Sequence, residues 1–159
     1  MHSKNSGKTW VLSILAETLM AMGSAGCGGG SASLAFLAYV ANLRANNVSV
    51  IATATNTAVA TVTVGNGPVG VAITPDGSAV YVTNVASNNV SVIATATNTV
   101  VATVTVGTSP FGVAITPDGS HAYVTDPGSN NVSVIATATN TVVATVTVGT
   151  FPVSVAIQQ

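Results

Sequence analysis

Beyond residue 27, formal charge is carried only by Arg44, Asp76, Asp118 and Asp126, and the one imidazole is His121. Asp76 and Asp118 stand at equivalent positions of a repeat, so they could ring one face of a repeat array and hold a cation. Each also sits in Pro-Asp-Gly-Ser. There Asp hydrogen-bonds the backbone two residues on, and Gly77 or Gly119 takes the positive-φ position. The structural-turn role is therefore the expectation for Asp76, Gly77, Asp118 and Gly119. Asp126 precedes Pro127-Gly128 and is likewise read as a turn residue. His121 replaces Ala79 of the preceding copy. General acid–base work needs a partner and a substrate-lined pocket, and no nearby acid or triad pattern is visible. No Gly-x-Ser-x-Gly run and no Cys/His cluster is present. His121 is expected at the surface and Arg44 in solvent. The chain is expected not to be an enzyme, and to have no catalytic, cofactor-binding or metal-binding residues.

Three further features could carry modification, phosphate binding or ice binding. Asn47, Asn89 and Asn131 each open an Asn-Val-Ser sequon. Glycosylation there would help to solubilise a charge-poor surface; the simpler reading is asparagines that enter strands from turns. Ser6-Gly7-Lys8-Thr9 looks like the end of a phosphate-binding loop, but His2 stands where its first glycine is required. The Thr-x-Thr runs bring ice-binding solenoids to mind, whose coils are far shorter than this repeat.

Composition narrows the classes. Charged residues make up 4 % of 159 residues, against about 25 % in an ordinary soluble domain. One cation beyond residue 27 cannot neutralise a run of phosphates, so nucleic acid is excluded as a partner. Direct binding to an acidic membrane surface is excluded on the same ground. Thr, Ser and Asn must supply the polar surface, as in exported proteins.

The N-terminus has the layout of an export signal: Lys4 and Lys8, then an apolar stretch over 10–22, then Ser24-Ala25-Gly26 before the single cysteine, Cys27. With Cys27 at the cleavage point the segment resembles a bacterial lipoprotein signal, and the thiol is the expected lipidation site. Glu17, Thr18 and Ser24 depart from that pattern, so ordinary secretion and a non-functional N-terminus stay open. The apolar stretch is shorter than the roughly 20 residues of a membrane span. The expected organisation is a signal helix in 1–27, a Gly/Ser-rich linker over 28–37 and repeats over 38–159. The expected location is the cell envelope or outside the cell, with membrane contact only through the lipid.

What must position these residues is a repeat. Tyr39, Tyr81 and Tyr123 stand 42 residues apart. Residues 46–78 recur at 88–120 with changes only at positions 58, 66, 67 and 69, and 130–149 repeats 88–107 without a difference. The units run near 39–80, 81–122 and 123–159. In the central unit, β-branched runs at 69–74, 79–83, 90–94 and 100–106 alternate with turn residues, which predicts antiparallel hairpins. The first run is apolar on both faces, as in a strand sandwiched between neighbouring sheets. The last alternates Thr99, Val101, Thr103 and Thr105 against Val100, Ala102, Val104 and Val106, as at a half-exposed rim. A period near 40 with several short strands predicts a β-propeller array. The fold class is all-β, about three four-stranded blades in an incomplete ring.

The runs Tyr81-Val82-Thr83-Asn84, Asn-Asn-Val-Ser-Val-Ile, Ala-Thr-Asn-Thr-Val and Val-Ala-Ile-Thr-Pro-Asp-Gly resemble the YVTN β-propeller repeat of surface-layer and YncE-like envelope propellers. The resemblance covers residues 39–157. It implies a non-catalytic envelope module with a structural or protein-interaction role. Ala52, Ala94 and Ala136 stand where that family often has Asp. The alternative function is a lactonase-like or cofactor-associated propeller enzyme, or a truncated fragment of a larger propeller.

Propellers have about four to eight blades, and this chain supplies about three. Its repeats begin on a second strand near 38–42 and stop on a first strand over 152–157. Two accounts follow: self-association that completes a ring, or a fragment of something longer whose open faces would aggregate. Partners are accordingly a second copy or other envelope proteins.

Overall fold

Eleven strands, every pairing antiparallel, organise the computed structural model, which describes residues 36–158. The expected signal, Cys27 and nearly all of the linker lie outside the described residues. Blade 1 is β1 (Leu37–Asn42), β2 (Asn47–Ala52) and β3 (Thr57–Thr63). Blade 2 is β4 (Pro68–Ile73), β5 (Ala79–Asn84), β6 (Asn89–Ala94) and β7 (Thr99–Thr105). Blade 3 is β8 (Val113–Ile115), β9 (His121–Asp126), β10 (Asn131–Ala136) and β11 (Thr141–Thr147). Each sheet is an open meander in chain order. The all-β, partial-propeller architecture read from the repeat is the observed one; among the described residues blade 1 has three strands and no innermost one.

The turns are made by the residues suited to them. Asn46, Asn88 and Asn130 lie at φ 53° to 55°, and Asn56, Asn98 and Asn140 at 52° to 53°. Asparagine tolerates this left-handed conformation better than other residues with a side chain. The blades then stack by burying valine against valine. Val48, Val50 and Val62 of blade 1 pack on Val80, Val82 and Ile93 of blade 2. Tyr81, Val90, Val92 and Val104 of blade 2 pack on Ala122, Val124 and Ile135 of blade 3. A tyrosine ties each pair: Tyr39 Oη donates to Asn98 Oδ1 at 2.9 Å, and Tyr81 Oη to Asn140 Oδ1 at 2.7 Å. Towards the axis the blades converge on glycine. A Cβ at Gly70 would overlap the Phe111 carbonyl oxygen and stand 2.8 Å from Thr83 Oγ1.

Two expectations need correction. The outer strands do not alternate strictly, because the register shifts between Val50 and Ile51, Val92 and Ile93, and Val134 and Ile135. The extra residue of each bulge (Val59, Val101, Val143) faces outward at 55–60 % exposure. One surplus residue facing a single partner turns the face over. Residues 152–157 also form no strand, since no second strand lies beside them to complete a ladder. They nevertheless follow the path of an innermost strand. Phe151 N donates to Asn130 Oδ1 at 2.9 Å, as Ser109 N does to Asn88 and Gly67 N to Asn46. The Val153 carbonyl then approaches Gly112 as the Phe111 carbonyl approaches Gly70.

Candidate active site

The turn between β8 and β9 gathers the acid and the imidazole. Asp118 Oδ1 accepts from Ser120 N at 3.0 Å and from the Thr116 hydroxyl. Ser120 Oγ lies 2.8 Å from both Asp118 carboxylate oxygens and 2.7 Å from His121 Nδ1. These contacts are compatible with one proton arrangement in particular. An ionised carboxylate only accepts, so the single Ser120 proton goes to Asp118. Ser120 Oγ must then accept from His121 Nδ1–H, which leaves Nε2 as the basic nitrogen. The carboxylate is well suited to this. The Thr116 hydroxyl first, then the Ser120 amide and hydroxyl, bring the Asp118 pKa down to about 2. The order is a carboxylate, a hydroxyl and an imidazole in line, with the imidazole at the free end.

Sequence reasoning placed no acid near His121. The signal was Thr116-x-Asp118-x-Ser120-His121: a Pro-Asp-Gly turn folds its Asp back onto the residue two positions on, which here is the neighbour of the histidine. His121 is half-buried at the head of β9 rather than a free surface residue. In blade 2 the same turn has Asp76 Oδ1 accepting from Ser78 N at 3.1 Å and Ser78 Oγ at 2.9 Å. The Thr74 hydroxyl and the Ser78 donors hold Asp76 below the usual carboxylate range. Ala79 follows Ser78, so no imidazole completes that set. Gly77 and Gly119 both lie at φ 72°.

A cleft of about 480 Å³ opens between blades 2 and 3, lined by Asp76, Ser78 and Tyr81 on one side and Asp118, Thr137 and Asn140 on the other. Ala79 lies in its wall, and His121 holds the same place one repeat later.

The family model of lactonases with a seven-bladed β-propeller matches residues 31–157. The chain belongs to the seven-bladed propeller lactonase family. No curated protein sequence matches it. Among solved structures, hydrazine synthase of Kuenenia stuttgartiensis superposes with a TM-score of 0.71 at 31 % identity, over 73 % of this chain and 34 % of that one. A candidate 6-phosphogluconolactonase of Bacteroides fragilis gives 0.66 at 23 % identity, over 74 % and 37 %. Dihydro-heme d1 dehydrogenase NirN gives 0.62 at 20 % identity, over 69 % and 24 %; the last two show likeness of fold alone. The lactonase-family chain thus spans between about a quarter and just over a third of the length of these structures. The family match overturns the expectation that the chain is not an enzyme. That expectation rested on the lack of a Gly-x-Ser-x-Gly run and a Cys/His cluster, on the scarcity of acids, and on a His121 read as having no nearby acid.

Asp126 ends β9 and opens the following turn, its carbonyl accepting from Ser129 N at 3.1 Å, while its side chain is fully buried. In blade 2 its counterpart Asn84 donates Nδ2 to Asn89 Oδ1 at 2.8 Å and to Ser91 Oγ at 2.9 Å. Asp126 accepts from Ser133 Oγ at 2.7 Å, while its Oδ1 and the Asn131 Oδ1 are buried without partners. Gly107 packs onto the carboxylate so closely that a Cβ there would stand 2.7 Å from Asp126 Oδ2. Burial is the largest influence and pushes the Asp126 carboxyl up. A raised folded-state pKa stabilises below the unfolded value and loses that contribution as pH rises through the folded value. The variant Asp126→Asn restores the two donations of Asn84. It is expected to unfold about 1–3 kcal/mol later than wild type at pH 7, the gap closing towards pH 4. Urea melts at the two pH values check this; an equal or lower stability at pH 7 would contradict the assignment.

The sequon asparagines open β2, β6 and β10. Asn47 Oδ1 accepts from Asn42 Nδ2 at 2.8 Å, the bond that Asn84 makes to Asn89. Arg44 lies exposed in the β1–β2 turn.

Proposed function

We propose that the chain forms part of a lactonase-type propeller enzyme that opens a cyclic ester by hydrolysis, with His121 as general base. The observation that carries this reading is the lactonase family match across residues 31–157, and the Asp118–Ser120–His121 line gives it a chemical agent. His121 Nε2 takes a proton from water as the oxygen attacks the lactone carbonyl. The ring C–O bond then breaks, and the departing alkoxide takes the proton back from Nε2. Asp118 and Ser120 position the imidazole and compensate the positive charge it holds between these steps. A correctly placed base of this kind contributes about 10²- to 10⁴-fold. The repeat chemistry of Tyr81-Val82-Thr83-Asn84 supports a YVTN-type subgroup within this reading. Lys4, Lys8 and Cys27 support export with lipid attachment, which mass spectrometry of the envelope fraction would detect at Cys27.

The test is base consumption at constant pH by the full chain with an unsubstituted aldonolactone. His121→Ala is expected to lower turnover about 10²- to 10⁴-fold, while Asp76→Asn, in the equivalent turn without an imidazole, leaves it within about twofold. Equal turnover in the wild type and His121→Ala would refute the role of His121. No turnover above the spontaneous rate for the folded chain would refute the hydrolytic reading.

A further inference from the structure

The two inter-blade joints are copies of one another, and each end of the array carries half of a third. On the trailing face, Val146 is 46 % exposed, whereas its counterparts Val62 and Val104, covered by the next blade, are 5 % exposed. Tyr123, the counterpart of Tyr39 and Tyr81, makes no hydrogen bond through its hydroxyl among the described residues, although both others donate to an asparagine of the following blade. On the leading face of blade 1 the situation is reversed. Val40 is 43 % exposed, whereas its counterpart Val82 is fully buried. Asn56 has the φ of Asn98 and Asn140, and the same hydroxyl contact flanks it: Thr55 to Thr57 at 2.7 Å, as Thr97 to Thr99 and Thr139 to Thr141. It is the asparagine that no tyrosine reaches.

We infer that blade 3 docks on blade 1 of a second copy, with Tyr123 donating to Asn56 of that copy and Val146 covered by its leading face. The occupant follows from complementarity. The exposed faces repeat the residues that already meet across the two internal joints, so a second copy offers a surface the trailing face is built to fit. Among the described residues blade 1 has no innermost strand, and residues 152–157 follow the path of one without a partner. Transferring the β4–β5 register, in which Val71, Ala72 and Ile73 face Val82, Tyr81 and Val80, Val155, Ala156 and Ile157 would pair with Val40, Tyr39 and Ala38 of the second copy. Such an interface is head to tail, and it closes into a ring or extends according to the rotation per copy. It also forms a cleft equivalent to that between blades 2 and 3, with His121 in the place of Ala79. This last consequence rests on the hydrolytic reading; the docking does not.

Light scattering and sedimentation of the full chain test the docking independently of turnover. The wild type is expected at twice the chain mass or more at micromolar concentration. Tyr123→Asp places an unpaired charge in the joint and is expected to give the single-chain mass. Asn56→Ala is expected to weaken association about tenfold while the thermal transition of the dissociated chain is unchanged. A folded wild-type chain that stays single up to about 100 μM would overturn the inference, as would association that Tyr123→Asp and Asn56→Ala leave unaltered. That second outcome would point to further blades of a longer chain as the proper cover.

Discussion

Gly70→Val is expected to destabilise the array by about 3 kcal/mol or more and to loosen blade 2 from blade 3. The clash is with the Phe111 carbonyl, and backbone cannot swing aside as the tip of a long side chain can. Overpacking in a well-packed site costs about 1–3 kcal/mol when side chains can adjust, so a backbone obstacle lies at or beyond the upper end. Gly149→Ala is the control: nothing stands within 4 Å of its added Cβ, and the change is expected to stay within about 0.5 kcal/mol. Chemical denaturation of the two variants decides the matter. Equal midpoints would mean that the blades do not converge on Gly70.

The three tyrosines form an internal series. Tyr81 is 1 % exposed and joins two blades through Asn140, so Tyr81→Ala is expected to cost about 3–5 kcal/mol. Tyr81→Phe keeps the ring, removes the donation and costs about 1 kcal/mol. Tyr123 occupies the same place in its own blade, but among the described residues no following blade covers it. At concentrations where the chain is dissociated, Tyr123→Phe should be neutral within about 0.5 kcal/mol. The ratio between sites 81 and 123 is therefore the informative quantity. Similar losses at both would mean that Tyr123 has a cover within its own chain.

Much of the fold was legible because the repeat is nearly exact and its turn residues are specific. Asn-Asn, Pro-Asp-Gly and the tyrosine spacing locate the hairpins without reference to long-range contacts. The bulges at Val59, Val101 and Val143 were not legible, since an unbroken Thr/Val alternation reads as one face until the partner strand sets the register. The strand expected over 152–157 had the right composition, but a strand exists only with a neighbour to bond. The site was harder. His121 looked solitary although Asp118 stands three positions before it, because the Pro-Asp-Gly run was read only as a turn whose carboxylate serves its own backbone. Asp126 looked like a turn residue because Pro127-Gly128 follows it, while its burial is decided by Gly107, nineteen positions earlier in the chain.

Hydrolysis as proposed depends on His121, and in the proposed docking His121 lies at the joint between copies. Turnover of an aldonolactone, measured across the fractions of a size-exclusion run of the full chain, brings both claims into one experiment. The predicted result is activity that follows the associated species, falls in the single-chain fractions and in Tyr123→Asp, and is lost in His121→Ala. Folded, associated chain without lactone turnover, or turnover that His121→Ala retains, would contradict it.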